Sequence, residues 1–366
     1  MTNLVLYRKY RPKTFAEVVG QEHVVQTLTN AISSGTISHA YLFAGQRGSG
    51  KTTIARLLAK AVNCENRGNG FEPCNECSSC NEINESRSID LMEVDAASNR
   101  GIDEIRELRD GIRFAPVKSK YKVFIIDESH QLSKDAANAL LKTLEEPPSH
   151  AVFILATTEI HKMIPTIISR CQRFDFRKLT VQEIIGRLKT VIGKEQCAVD
   201  DAALELIALN SGGSIRDSEA LLDQVLAFGG KNINDIKDLL GMVDMELVGQ
   251  FTDLLFQKKA SPVIEFLNKT IEKGGDPQEF AKSLINYLRY GLILKIGPEL
   301  SNPIITTLTK EEKEKLRAQV ISVSEADISR TLRLFMDAEN KMKYSPIPQL
   351  PLELAIIESM DEKVIK

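Results

Sequence analysis

A chain of 366 residues, 43% hydrophobic and 27% charged, is too long for one ordinary core and too apolar for a disordered chain, so two or three globular domains are expected. A formal net charge of −3 excludes an argument for nucleic-acid binding from bulk electrostatics, which leaves only local contacts for such a partner. No apolar stretch has the length of a membrane span and Met1 to Tyr10 lacks the apolar core of a secretion signal, so a cytoplasmic protein without membrane contact is expected.

The chain begins with a basic and aromatic arm, Tyr7-Arg8-Lys9-Tyr10-Arg11-Pro12-Lys13-Thr14-Phe15, followed by Val18-Val19-Gly20-Gln21 and a helix through about Ser33. The arm suits a flap over a base ring better than a phosphate patch, because a nucleotide-loop pattern follows it; a simply solvated arm is the third reading. Ala40-Tyr41-Leu42-Phe43-Ala44 reads as a buried strand and Thr53 to Val62 as a helix, and between them Gly45-Gln46-Arg47-Gly48-Ser49-Gly50-Lys51-Thr52 matches GxxxxGK[ST]. Glycines let backbone N–H groups curl around phosphate oxygens, and the helix N-terminus faces the negative charge. Lys51 reaches the outer phosphates and Thr52 offers its hydroxyl to Mg²⁺.

After this helix come Cys64, Cys74, Cys77 and Cys80, spaced C-x9-C-x2-C-x2-C. Zinc takes four thiolates in a tetrahedron, and short CxxC turns present two of them from one loop. Structural zinc is expected over free or redox thiols, and a four-thiolate site leaves no open position for chemistry. Cys171 and Cys197 read as single buried thiols. Ile89 to Asp95 looks like a strand, and Asp103 to Arg113 like a helix beside Asn99, Arg100 and Arg106, which suit either a nucleic-acid backbone or a solvated face.

Tyr121 to Ile126 is a β-branched run covered on both faces, as in a parallel sheet, and it ends in Asp127-Glu128. Paired acids at a strand's C-terminal end downstream of a P-loop form a Walker B arrangement. Asp127 then orients Mg²⁺ and Glu128 polarises the attacking water. Ala136 to Glu146 is helical and stopped by Pro147-Pro148; Ala151 to Ala156 is a further buried strand ending in Thr157-Thr158, where a threonine suits a γ-phosphate or water contact or simply a strand end. Arg170 follows an apolar helix turn, poised for an acid of its own domain or for a neighbour's nucleotide, and Phe174-Asp175-Phe176 is strand-like.

From Leu179 the strand-like runs cease. Val181 to Ile192, Asp200 to Leu209 and a helix through about Phe228 follow, the last with Ser214 as N-cap and Arg216 near its start. The break Gly229 to Asn232 and a short helix to Leu240 close this module. Amphipathic helices then run to the end, separated by Ser261-Pro262, Gly274 to Pro277 and Ser301-Asn302-Pro303. The expected fold class is α/β plus all-α: a parallel-sheet domain over 1–178 with the cysteine insertion at 64–80, a helical lid over 179–242, and a helical collar over 243–366.

Tyr-Arg-Lys-Tyr-Arg-Pro, the P-loop, the four cysteines, Asp127-Glu128, Leu144-Glu145-Glu146-Pro147-Pro148, Ala156-Thr157-Thr158, Ser169-Arg170-Cys171 and Gly213 to Asp217 occur in this order. The set resembles the gamma/tau subunits of bacterial DNA polymerase III, the AAA+ P-loop ATPases of the clamp loader, closely from residue 4 to about 240 and more loosely beyond. The resemblance implies a RecA-like domain in which Gly45, Gln46, Arg47, Gly48, Ser49, Gly50, Lys51, Thr52 and Thr53 bind ATP. It further implies Arg11, Pro12, Val18 and Val19 at the adenine, Thr52 and Asp127 at Mg²⁺, and Glu128 as the hydrolytic acid. Thr158 would be sensor 1, with Thr157 the alternative; Arg170 an arginine finger acting in trans; Arg216 sensor 2. Zn²⁺ would sit on Cys64, Cys74, Cys77 and Cys80.

The partners so implied are the delta and delta-prime subunits, copies of the chain itself, the sliding clamp (beta), and primed DNA held by its phosphates. Ser129 departs from the apolar residue usual after the Asp-Glu pair. The chain stops at Lys366 without the long tail of tau-type proteins, so polymerase and helicase contacts are not expected. Nor is a polymerase site, since no carboxylate cluster would form one. Two rivals are a branch-migration type of AAA+ machine, against which the cysteines and Ser-Arg-Cys argue, and a noncatalytic scaffold, against which intact Lys51, Thr52, Asp127 and Glu128 argue.

Overall fold

The computed structural model describes residues 4–68, 70–98, 111–112, 114–229, 236, 245–297 and 310–360. The helix expected at Asp103 to Arg113, the polar residues Asn99, Arg100 and Arg106, the stretch from Gly230 towards Leu240 and Ser301-Asn302-Pro303 lie outside them, apart from residues 111–112 and 236. The chain divides into two compact units, Met1–Ile233 and Asn234–Lys366.

In the first unit, five strands pair in parallel in the order β2-β3-β4-β1-β5: β1 (Ala40–Gly45), β2 (Leu91–Asp95), β3 (Lys122–Asp127), β4 (Ala151–Thr157) and β5 (Gln172–Phe176). Side chains alternate across the sheet with period two, so each central strand feeds both faces. Tyr41, Phe43, Val123, Ile125, Val152 and Ile154 pack on one side against α2 (Glu22–Ser34) and α3 (Lys51–Asn63) through Leu28, Ile32, Ile54 and Leu58. Leu42, Phe124, Ile126, Phe153 and Leu155 pack on the other against Leu140 and Leu144, which lie on a helix introduced below. Every residue of β4 is buried, as its unbroken apolar run predicts. The register Ala44↔Thr157 and Ile126↔Leu155 brings the C-terminal ends of β1, β3 and β4 to one edge.

Short helices the sequence did not announce flank this core: α1 (Leu6–Lys9) in the arm and α4 (Ser78–Asn84), which runs through the last cysteine. Beyond β3 come α5 (Lys134–Glu145), carrying Leu140 and Leu144, and α6 (Pro165–Ile168). Three helices follow the sheet, α7 (Val181–Glu195), α8 (Asp201–Asn210) and α9 (Ile215–Phe228). Thr180 and Glu183 form a reciprocal capping box at the start of α7. Arg177 grips Glu183 at 2.5 Å and, with the Thr180 N–H, holds its carboxyl down at about 2. Arg187 on α7 and Glu219 on α9 form a buried ion pair at 2.8 Å, and Arg187 also donates to the Tyr10 carbonyl. Cys197 is exposed in the loop after α7, not buried as expected; the apolar stripe of α7 ends at Val191, before the chain turns outward at Gln196. Cys171 is half-buried, and burial pushes its thiol up to about 12.

The second unit is helical: α10 (Met245–Phe256), α11 (Ala260–Glu272), α12 (Pro277–Ile296), α13 (Lys310–Ile321), α14 (Glu325–Met342) and α15 (Leu350–Met360). Phe251 meets Phe280 at 5.0 Å and Phe335 at 6.3 Å, both edge-on, and Leu284, Leu288, Ile328 and Ile356 complete the core. Ser261-Pro262 is not a break: both residues lie in the first turn of α11, where proline's missing N–H has no helical partner to lose. The break falls instead at Gln257 to Lys259, with Lys258 left-handed. Among the described residues no helix is long and apolar enough to cross a membrane.

Candidate nucleotide-binding and hydrolysis site

The P-loop leaves β1 at Gly45 and enters α3 at Lys51, with Gly50 left-handed at φ 103° as the N-cap. Lys51 is 5% exposed and its ammonium donates to the carbonyls of Gly45 (2.7 Å) and Gln46 (2.9 Å). Burial lowers its affinity for a proton, and Asp127 and Glu128 oppose that. Ser49 closes the loop on the Gln46 carbonyl at 2.7 Å. Thr52, at the first turn of α3, donates to Asp127 Oδ2 at 2.8 Å, so the hydroxyl and carboxylate expected at a Mg²⁺ ion are already adjacent. That oxygen pair is the hard donor set Mg²⁺ takes beside phosphate oxygens and water.

Glu128 follows Asp127 in the left-handed region, at φ 47°. Its Oε2 accepts from the Thr158 hydroxyl at 2.8 Å, which joins the ends of β3 and β4. Thr157, the alternative, is fully buried and its hydroxyl accepts the Glu159 N–H at 3.0 Å. Of the two threonines, Thr158 is the one that touches Glu128. Ser129, the departure noted above, is buried and donates to the Ala156 carbonyl at 3.0 Å, so its hydroxyl is satisfied in an apolar setting.

Two recesses meet at the loop. One is lined by Arg11, Pro12, Val18, Val19, Gly48 to Ile54, Leu179, Ile215 and Arg216, with Tyr7, Glu17, Arg187 and Glu219. The other is lined by Gly45, Gln46, Arg47, Glu128, Thr158, Asp175 and Phe176. The first is walled by the arm, the loop and Arg216; the second holds Glu128 and Thr158. The arm thus forms one wall of the first recess, and its half-buried Arg11 loses proton affinity by burial and by the nearby Arg56.

The helical module closes on the loop. The Ile215 N–H donates to the Gly48 carbonyl at 3.2 Å, and the Ser214 Oγ lies 1.8 Å from where a Cβ on Gly48 would stand, so only glycine fits at this φ of 74°. Ser214 caps α9 by accepting the Asp217 N–H, as its position predicts. Arg216 stacks over the Tyr7 ring at 4.9 Å, and this cation and its hydrogen bond pull the Tyr7 phenol below its ordinary value. Arg170 lines neither recess: it pairs with Glu145 at 2.7 Å and donates to the Thr166 carbonyl at 2.8 Å, on a surface about one-third exposed.

The four cysteine sulfurs lie within 4.8 Å of one another. Tetrahedral ligands about 2.3 Å from zinc stand roughly 3.8 Å apart, so the donors fit one ion. Backbone N–H groups of Glu76 and Cys77 reach Cys74 Sγ at 3.4 and 3.3 Å and hold that thiol down at about 6, while burial pushes the Cys80 thiol up. A divalent cation would offset the thiolate charge that burial otherwise penalises.

Sequence reasoning missed Arg187, Glu219, His130 and, as a site residue, Tyr7. Arg187 and Glu219 were legible only as charges interrupting apolar faces of lid helices; His130 carried no signal beyond its place three residues after Asp127.

Three family models match successive parts of the chain: "DNA polymerase III, delta subunit" over residues 20–180, "DNA polymerase III clamp loader subunit, ATPase lid domain" over 183–231, and "DNA polymerase III subunits gamma and tau domain III" over 232–363. The chain is 44% identical over 364 residues to DNA polymerase III subunit tau of Bacillus subtilis, covering 98% of this chain and 63% of that protein. It is 37% identical over 361 residues to DNA polymerase III subunit gamma of Buchnera aphidicola, covering 98% of each. The chain therefore spans about three-fifths of the tau relative and nearly all of the gamma relative. Among solved structures, the Thermotoga maritima RuvB Holliday junction branch migration motor is 20% identical with a TM-score of 0.46, over 67% of this chain and 78% of that chain.

Proposed function

The chain belongs to the family of DNA polymerase III gamma and tau subunits, and from that premise we propose that it is the ATP-hydrolysing subunit of a replicative clamp loader. The observation that carries the reading is the junction at the ends of β1, β3 and β4, where Thr52 meets Asp127 and Thr158 meets Glu128, both at 2.8 Å, beside Lys51. A purely structural loop has no use for four polar side chains gathered under an anion-binding helix N-terminus.

In this mechanism Arg11, Pro12, Val18 and Val19 take the adenine, and the loop from Gly45 to Thr53 cradles the phosphates. Mg²⁺, when bound, neutralises phosphate charge, and Thr52 with Asp127 would hold it. Glu128 orients the attacking water, with Thr158 fixing that carboxylate and reaching the γ-phosphate region. Lys51 offsets charge on the outer phosphates. Arg216 reads the nucleotide from the lid, whose α9 already rests on Gly48. Arg170, on its exposed face, serves the nucleotide of the next subunit in a ring. Cys64, Cys74, Cys77 and Cys80 would hold Zn²⁺, which would tie the insertion to the end of α3 and leave no position open for chemistry.

The parts are an α/β motor over 1–178, a lid over 179–242 and a collar over 243–366. Leu350, Leu354 and Ile357 repeat along an exposed stripe of α15 and support a role in assembly. The partners are copies of this chain, the delta and delta-prime subunits, the sliding clamp, and primed DNA gripped by its phosphates without sequence readout. The test is ATP turnover by the full chain with delta and delta-prime, with and without clamp and primed DNA, beside Arg170→Ala. Clamp and DNA should raise the rate, and the variant should lose about 10³-fold or more in turnover while still binding ATP. A rate indifferent to clamp, DNA and substitution would sink the reading.

A further inference from the structure

The three residues after Glu128 form a tight 3₁₀ turn, Ser129–Gln131, closed by the Gln131 N–H on the Glu128 carbonyl at 2.8 Å and pinned to β4 through Ser129. The turn places the His130 ring, its side chain 5% exposed, between two carboxylates. Nδ1 lies 3.5 Å from Glu128 Oε2 and 3.0 Å from the Thr157 hydroxyl; Nε2 lies 3.5 Å from Glu159 Oε1. Thr157 Oγ1 accepts the Glu159 N–H, so its own proton is free to point at Nδ1. Beyond the ring, Glu159 is itself paired with Lys162 at 2.7 Å and faces His161 at 3.5 Å.

We propose that His130 is a positioning residue for the Glu128 carboxylate, an inference that rests on the ATPase reading above. Glu128 is flanked by Thr158 on β4's end and by an imidazole that Thr157 and Glu159, also from that end, hold in place. With a neutral ring, Thr157 donates to Nδ1 and Nε2–H faces Glu159; the ring is then a wall that keeps Glu128 turned towards Thr158 and the water. Without the ring, Glu128 loses the wall on its far side and is no longer held towards Thr158, so turnover should fall without loss of ATP binding.

The experiment compares the full chain, assembled with its partners, with His130→Ala and His130→Asn, measuring kcat and KM for ATP. His130→Ala should lower kcat about ten-fold with KM within about two-fold, the pattern of a group that acts only on the chemical step. His130→Asn, which keeps a polar atom near the Nδ1 position, should recover most of that loss. Unchanged kcat in His130→Ala, or no recovery in His130→Asn, overturns the role of His130 and leaves the ATPase reading standing. Absence of turnover by the unsubstituted assembly sinks both. If His130→Ala does not fold, His130→Phe, which keeps the ring's bulk without its nitrogens, takes its place with the same expected loss and the same overturning result.

Discussion

In the unit that carries the cleft, buried polar side chains are numerous and tie different elements together: Lys51 to the P-loop carbonyls, Ser129 to β4, Arg187 to Glu219. In the helical unit, the buried polar residues among those described are Thr252 and Thr331, and Thr252 merely bonds back to the Val248 carbonyl of its own helix. Its interior is otherwise aliphatic and aromatic, with a polar link where the buried Tyr287 phenol donates to Gln319 at 2.6 Å, while Tyr344, Leu354 and Ile357 stand exposed. Apolar packing is tolerant of exchange and specifies a shape, whereas a buried polar network costs stability when broken and specifies positions. The first unit is built to hold atoms in place; the second is built to cohere and to offer a surface.

The largest effect that would break this contrast lies in the helical unit. Phe335→Ala removes the edge-on partner of Phe251, at 0% exposure, and should cost about 4 kcal/mol. Hydrogen exchange of α12 and α14 should accelerate accordingly while ATP affinity of the cleft stays within two-fold. A parallel loss of ATP affinity would mean that the two units are not separate in energy.

Arg187→Ala tests the other side. Glu219, 3% exposed and already pushed up by burial, is left without its cation, and the arm loses its tie at Tyr10. The expected cost is about 3 kcal/mol of stability. Because both residues line the cleft, ATP affinity should fall with stability, as measured by denaturant unfolding beside nucleotide titration. Retained affinity at lowered stability would make this pair a packing device like those of the second unit.

The smallest effect concerns the lid's entry. Glu183, held at about 2 chiefly by Arg177, is depressed below the ordinary glutamate value, so its contribution is complete above about pH 4.5 and is lost as pH falls through about 2. Partial exposure limits it to about 1 kcal/mol. Glu183→Gln should therefore melt lower than the unsubstituted chain at pH 7, and the gap should narrow by pH 3. A gap independent of pH would assign the effect to the capping geometry and not to charge.

Local pattern determined a good deal. The P-loop between a strand and a helix, the Asp-Glu pair after a buried run, the four cysteines and the Ser214 cap were all legible, because each is a short-range rule: period two for strands, fixed offsets for turns, chemistry tied to spacing. The same rules failed where a residue's fate depends on what packs against it. Ser-Pro reads as a break yet opens α11, because only the docking of a helix decides where its first turn falls. Cys197 reads as buried because thiols usually are, yet the chain turns outward before it. That Glu128 meets Thr158, that His130 stands between two carboxylates, that α9 rests on Gly48 and that Arg187 finds Glu219 were decided by tertiary structure alone. Those pairs lie far apart in the chain or belong to different elements, and no local periodicity encodes which side chains the sheet register and the lid bring within hydrogen-bonding reach.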